Sequence, residues 1–164
     1  PAPLAPVTAM PVTPLGSKWN GKLFVNAELT PPDDTNTPAM NLYKAILKDY
    51  GSSVQGGIGS FSQMGFTEAE IAVHALQSIT GPYTAQSVNA AFKAVKNFDT
   101  GMLCQLWTYG DYPLHIPNNS DWTVTPKDGK MTTAQGCTLI SKVDPQIAQY
   151  RNVAGTAANA PSSS

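Results

Sequence analysis

Residues 97–111, NFDTGMLCQLWTYGD, constrain the fold of this chain more than any other segment. A turn-forming stretch at residues 97–101 runs directly into an apolar stretch that contains a cysteine. Turn residues of this kind lie at a protein surface, whereas a short apolar run is typical of a buried strand. Two interpretations follow. The stretch is either an ordinary core strand or a segment that carries the chain from one lobe to another.

A helix is predicted from residue 38 to residue 50. Thr37 is a natural N-cap and is followed by a proline, which is favoured in the first helical position. Gly51 ends the segment as a C-terminal stop. Five apolar residues recur at helical spacing and support this helix: Leu42, Ile46 and Tyr50, with Tyr43 and Leu47 beside them.

Two further helices are predicted before residue 97. The second covers about residues 63–79, with a start near Ser62 left open. The sequence TEAE at residues 67–70 is its candidate capping box, and acids in a first turn interact favourably with the helix dipole. Its predicted apolar stripe is Ile71, Ala72, Ala75, Leu76 and Ile79. The third helix covers residues 84–96 and is predicted to bury Val88, Ala91, Phe92 and Val95.

Strands are predicted on both sides of the helices. Residues 21–27, GKLFVNA, form an apolar run suited to a buried strand. Residues 122–125 and 130–132 are predicted as a hairpin joined by the turn PKDG. A short helix is predicted over residues 143–151, and the small, polar segment that follows is expected to be disordered.

Composition excludes several classes of function. Charged residues make up only 13% of the chain, and the net charge is −1. A nucleic-acid partner needs clustered cations and is therefore not expected. No apolar run is long enough to cross a bilayer. The glycine-rich residues 51–60, GSSVQGGIGS, lack the phosphate-loop and dinucleotide patterns, so they predict a flexible loop and no nucleotide cofactor.

No catalytic or metal-binding constellation is evident in the sequence. His74 lies within the second predicted helix, and His115 lies in a segment bracketed by prolines. Neither a GxSxG nor an HExxH pattern occurs, and Asp33 falls with a second aspartate in a proline-rich loop. The two cysteines, Cys104 and Cys137, are too few for structural zinc. Their number fits either one disulfide or two buried thiols. No enzyme is predicted.

The order of these segments resembles a known family of transport receptors. The phrases are LFVNAEL, LYKAILKDYG, QMGFTEAEIAVHAL, SVNAAFKAVKNFDTG, TYGD, HIPNN and VTPKDGKM, in that order, between residues 23 and 131. Together they resemble the C-terminal part of extracytoplasmic solute-binding proteins of the branched-chain amino acid type, which are the receptors of ABC importers. The similarity covers about residues 18–135.

The resemblance implies an α/β fold, specifically a portion of the two-lobed type 1 periplasmic binding-protein fold whose N-terminal part is missing. It implies that residues 1–20 end one lobe and that residues 21–100 form the helix-rich part of the other. Residues 101–151 would return to the first lobe and close with a hairpin, and residues 152–164 would form a disordered tail. Residues 24–29 and 101–106 would then be crossing segments between the lobes.

The resemblance also implies a function without catalysis. The expected role is a receptor, or a fragment of one, that delivers an amino acid or a small hydrophobic or aromatic acid to an ABC importer by hinge closure. Its expected partners are the solute, the permease and the missing N-terminal portion of the same protein. It would be extracytoplasmic and bound to a membrane only through an anchor absent from this sequence. The alternative is a shortened interaction or sensor module that binds a protein partner.

The resemblance suggests six residues that contact the ligand, four of them at the start of the second helix: Phe61, Gln63, Met64, Phe66, Glu28 and Met10. Phe66 stands where the family often has a tyrosine, which would favour a more apolar ligand. The alternative roles remain open: Phe61 and Phe66 as core residues, and Glu28 as a solvated acid at a strand end.

A disulfide between Cys104 and Cys137 is hypothesised within this architecture, since the first would lie in a crossing segment and the second in the closing segment. The entropy of closing a loop of this length corresponds to roughly 3–4 kcal/mol of stabilisation.

Overall fold

The computed structural model describes residues 16–31, 33, 37–51, 59–109 and 120–140. The predictions for Met10, His115, residues 52–58, the helix at 143–151 and the tail lie outside this part of the chain. The described elements are, in chain order, a 3₁₀ turn (Ser17–Trp19), β1 (Val25–Ala27), α1 (Pro38–Tyr50), α2 (Ser60–Gln77), α3 (Ala85–Ala94), β2 (Ser120–Lys127) and β3 (Lys130–Leu139).

Helix α1 begins and ends where the sequence predicts. The hydroxyl group of Thr37 accepts a hydrogen bond from the backbone N–H of Met40, Pro38 occupies the first turn, and Gly51 follows the last residue. The apolar residues at helical spacing divide between a buried and an exposed side of the helix. Met40 and Tyr43 are buried, whereas the apolar residues on the adjoining side are exposed: Leu42, Ile46 and Tyr50. No segment in the described ranges covers that side of the helix.

Helix α2 begins earlier than predicted, and its capping differs. The hydroxyl oxygen of Ser62 accepts a hydrogen bond from the backbone N–H of Gly59 at 3.2 Å, so the helix starts at Ser60. The predicted capping box at residues 67–70 is wrong because this segment already lies inside the helix. Thr67 instead donates from Oγ1 to the carbonyl oxygen of Gln63, 2.9 Å away, and is buried. Glu70 is likewise well inside the helix.

Helix α3 is confirmed in position and ends two residues earlier than predicted. Thr84 and Ser87 cap it reciprocally, each backbone N–H donating to the side-chain oxygen of the other residue. Helices α2 and α3 pack against each other through a buried cluster of Ala75, Ala91 and Val95. Partly buried side chains surround that cluster: Ile79, Phe92, Phe98 and Trp107.

The three described strands form an antiparallel sheet in the order β1-β2-β3. The predicted hairpin is confirmed and is longer than expected. Asp128 and Gly129, with φ of 51° and 80°, form its two-residue turn. Positive φ at both central positions is typical of one of the two turn types that match the twist of a tight hairpin. The predicted strand over residues 21–27 is only three residues long. Phe24 lies outside it and is exposed, so its predicted burial is wrong.

Residues 101–106, one of the two expected crossing segments, form no regular strand. Single β-bridges hold this part of the chain, one between Leu29 and Leu103 and one between Phe98 and Trp107. Met102 is fully buried in a second cluster with Met40 and Tyr43. Met102 is therefore a core residue, whereas Leu106 at the end of the stretch is exposed. Leu103 lies beside Leu29 of the other expected crossing segment.

Candidate functional site

Thr30, the residue directly after the first expected crossing segment, contacts Met102 in the second, 72 residues further along the sequence. The backbone N–H of Thr30 donates to the carbonyl oxygen of Met102 at 2.8 Å, and the Thr30 hydroxyl donates to the same oxygen at 3.0 Å. Both residues are buried. We call this pair, with the side chain of Gln63 that reaches it, the junction.

Gln63 connects the junction to the first turn of α2. Its side chain is completely inaccessible to solvent, and Nε2 donates to the carbonyl oxygen of Thr30 at 2.9 Å. Nε2 also lies 3.9 Å from the sulfur of Met102. The side-chain oxygen Oε1 is buried and has no hydrogen-bond partner within the described part of the chain. The Gln63 side chain therefore bonds the backbone of Thr30 and contacts the side chain of Met102.

The start of α2 is tied to α1 by a second polar contact. The phenol oxygen of Tyr43 lies 2.5 Å from the hydroxyl oxygen of Ser62 and accepts a hydrogen bond from the backbone N–H of Gly59 at 3.2 Å. The ring of Tyr43 packs against that of Phe66, with 5.6 Å between the centroids. The first turn of α2 is therefore bonded to Thr30 through Gln63, and to α1 through Tyr43.

The structure divides the ligand residues suggested on α2 into two groups. Gln63 and Phe66 face inward, since Gln63 is buried and Phe66 packs against the cluster of Met40, Tyr43 and Met102. Phe61 and Met64 face outward, with 69% and 41% of their surfaces exposed. Of the four residues, only this second group presents an apolar surface to solvent.

Glu28 is exposed just after β1 and lies near another acid, Asp121. Burial, together with the negative charge of Glu28, raises the pKa of the Asp121 carboxyl group. Within the described ranges, no three acidic, histidine or cysteine side chains are grouped so that they would suit a metal ion.

A second acidic pair lies between α2 and the turn at residues 97–101. Burial, and to a smaller extent the charge of Asp99, raises the pKa of Glu70. One turn further along α2, the ring of His74 stacks on Phe98 with 4.1 Å between the ring centroids. His74 is exposed and packs on an aromatic ring at the edge of the core, which gives it a structural role.

Cys104 and Cys137 form a disulfide, with 5.5 Å between their Cα atoms. Of the two alternatives open from the sequence, the structure has the disulfide. Cys104 directly follows Leu103, which bridges to Leu29, and Cys137 belongs to β3. The bond thus links one of the expected crossing segments to the hairpin. In the described part of the chain, no helix combines the length and apolar character that a membrane span requires.

No protein-family model and no curated protein sequence matches this chain. Two solved structures are similar to it in fold. One is a branched-chain amino acid ABC transporter protein from Thermus thermophilus with bound valine, at a TM-score of 0.57 and 18% identity. The other is a substrate-binding protein of an ABC transporter from Aeropyrum pernix, at a TM-score of 0.62 and 17% identity.

These similarities cover most of this chain but only part of the two relatives. They extend over 74% and 81% of this chain and over 35% and 36% of the respective relatives. The chain therefore spans about a third of their length. In fold, the chain resembles branched-chain amino acid ABC transporter substrate-binding proteins, and its α/β architecture corresponds to part of the type 1 periplasmic binding-protein fold.

Proposed function

We propose that this chain is part of an extracytoplasmic solute-binding receptor that serves an ABC importer and binds an amino acid or a small hydrophobic or aromatic acid. The fold similarity carries the proposal, above all the match to a structure with bound valine. The disulfide between Cys104 and Cys137 supports an oxidising compartment, because such bonds are rare where the cell keeps thiols reduced.

The proposed contact surface for the ligand is the outward side of the first turns of α2. Phe61 and Met64 are exposed there and lie three residues apart, so they share a side of the helix. Apolar side chains of this kind suit the side chain of valine or a related amino acid. N–H groups in a helical first turn favour a carboxylate. Glu28 and Met10 remain proposed contacts on the strength of the sequence alone.

The proposed mechanism is hinge closure around the ligand. Residues 24–29 and 101–106 would cross between the lobes. The hydrogen bond from the N–H of Thr30, which directly follows the first segment, to the carbonyl oxygen of Met102 links the first segment to the second. A ligand that contacts both lobes binds the closed form more tightly and therefore shifts the population toward it. The permease would recognise that closed form.

A thermal-shift and calorimetric titration tests the proposal. Valine, leucine, isoleucine and phenylalanine should raise Tm in a saturable way, since a ligand at 100 times its Kd stabilises the folded state by about 2.7 kcal/mol. Lysine and aspartate should not. Phe61→Ala should weaken binding, whereas Tyr83→Ala, which changes an exposed aromatic residue outside α2, should not. A chain that none of these acids stabilises would contradict the proposed ligand class.

A second candidate function, an interaction module that binds a protein partner, is favoured by the uncovered side of α1. Leu42, Ile46 and Tyr50 are exposed at helical spacing, and contiguous apolar surface of this kind often marks a protein interface. Sedimentation analysis separates the two functions. Tight self-association together with no response to any amino acid would favour the module over the receptor.

A further inference from the structure

Gln63 has a backbone that is fixed in the first turn of α2. Its N–H donates to the carbonyl oxygen of Gly59 at 2.9 Å, and its own carbonyl oxygen accepts from the hydroxyl of Thr67 at 2.9 Å. The helix therefore determines where this residue lies, and the backbone cannot move without the rest of the turn.

The side chain of the same residue reaches a different part of the fold. Nε2 donates to the carbonyl oxygen of Thr30, and Thr30 is bonded to Met102 through both its N–H and its hydroxyl. A carbonyl oxygen can only accept, so the amide nitrogen must face it. One buried amide thus connects a helix to two chain segments that are distant in the sequence.

Because of this connection, moving α2 away from Thr30 would cost free energy. All three residues of the junction are buried, so water cannot replace a partner that moves away. Separating α2 from Thr30 would leave a buried donor and a buried acceptor unpaired, which is more unfavourable than losing an exposed hydrogen bond. The first turn of α2 and the Thr30–Met102 pair are therefore expected to move together.

We propose that Gln63 is a positioning residue that couples ligand contacts on α2 to the Thr30–Met102 pair. The inference rests on the proposed function and changes one part of it, since Gln63 was suggested as a ligand contact. Phe61 lies on the outward side of the same turn and Gln63 on the inward side. A ligand held by the outward side acts on the crossing segments through the inward amide.

Two variants of α2 distinguish this role from simple support of the fold. Gln63→Leu replaces the amide with an apolar side chain that cannot donate to Thr30. Thr67→Val is the matched control, because it removes the buried hydrogen bond to the backbone carbonyl oxygen of Gln63 but leaves the Gln63 side-chain amide able to donate to Thr30. Both variants should lower Tm. Only Gln63→Leu should weaken valine binding, by about tenfold, whereas Thr67→Val should change it by less than about twofold.

Hydrogen exchange at the Thr30 amide provides a readout that needs no ligand. In Gln63→Leu this amide and the first turn of α2 should both exchange faster than in the unaltered chain. In Thr67→Val only the amides of α2 should do so. If the unaltered chain binds none of the tested amino acids, the proposed function is wrong. The exchange measurement would still test whether Gln63 couples α2 to the Thr30–Met102 pair. Unchanged exchange at Thr30 in Gln63→Leu would overturn the inference.

The conservative variant Gln63→Glu completes the test. An ionised carboxylate cannot donate to the Thr30 carbonyl oxygen, whereas a protonated carboxyl group can. At each pH, the Gln63→Glu variant is compared with the unaltered chain. As the pH is lowered, its Thr30 exchange rate and its affinity for valine should both approach those of the unaltered chain. Gln63→Glu also tests the role of Gln63 as a donor if Gln63→Leu fails to fold. Exchange at Thr30 that stays fast at every pH would contradict the role of Gln63 as the required donor.

Discussion

The phenol oxygen of Tyr43 lies 2.5 Å from the hydroxyl oxygen of Ser62, so a side chain in the middle of α1 contacts the first turn of α2. Tyr43 is almost completely buried, and its oxygen also accepts from the N–H of Gly59. The residue thus contributes an apolar ring to the core and a polar tip to the start of the neighbouring helix.

Tyr43→Phe should lower the free energy of unfolding by about 1–2 kcal/mol, because the ring remains while the hydrogen bonds of the phenol are lost. The loss should stay near this size because the Ser62 hydroxyl still contacts Gly59. The control is Tyr50→Phe in the same helix. Tyr50 is 79% exposed, so this change should stay within about 0.5 kcal/mol. Urea unfolding measures both, and equal losses would contradict a role for the buried phenol.

Shortening an apolar side chain of α1 to alanine should have different effects on its buried and exposed sides. Met40 is fully buried in the core, whereas Leu42 is half exposed. Met40→Ala should cost about 2–5 kcal/mol, and Leu42→Ala should cost less than about 1 kcal/mol. Urea unfolding of the two variants measures the difference. A larger loss for Leu42→Ala would mean that the exposed side of α1 is covered in solution.

This helix shows what the sequence can and cannot predict about the fold. The ends of α1 follow from local chemistry, since Thr37, Pro38 and Gly51 act on the backbone next to them. Which apolar side becomes buried is not local. Both sides have helical spacing, and the choice depends on Met102, which comes from a segment more than fifty residues further along the chain.

The candidate site was harder to predict for the same reason. The hairpin could be predicted because Asp128 and Gly129 are themselves turn-forming residues. The Thr30–Met102 pair has no such local signal, because its hydrogen bonds use backbone groups that every residue type carries. The position of Gln63 at the start of a helix suggests a ligand contact, but a sequence does not show whether a polar side chain in such a turn points outward or into the core.

Gly101 is predicted to tolerate substitution less well than Gly129. Both have positive φ, at 61° and 80°, so alanine is strained by about 1–2 kcal/mol at either position. A Cβ atom on Gly101 would lie only 2.6 Å from the Cβ of Ala39, whereas one on Gly129 would meet open space. Gly101→Ala should therefore cost about 1–3 kcal/mol more than Gly129→Ala. Thermal unfolding of the two variants tests the difference, and equal losses would show that α1 moves away easily.

The disulfide is predicted to contribute roughly 3–4 kcal/mol to stability, as expected for closing a loop between residues 33 positions apart. The double variant Cys104→Ser, Cys137→Ser should lower the urea midpoint by a corresponding amount. The control is the same variant with and without reductant, which should unfold identically. Alkylation of two thiols in the native, unreduced chain, detected by mass spectrometry, would exclude the bond.

Stability should depend on pH through Glu70. Burial and the charge of Asp99 raise the pKa of this carboxyl group in the folded chain, so the folded state holds the proton more tightly than the unfolded state does. The resulting stabilisation is complete below the ordinary pKa of the group and is lost as the pH rises through the raised value. Glu70→Gln should therefore increase the free energy of unfolding at pH 7 relative to the unaltered chain, and this advantage should shrink as the pH falls. Urea unfolding of both chains across pH measures this difference. A Glu70→Gln profile parallel to that of the unaltered chain would show that burial of Glu70 has no energetic consequence.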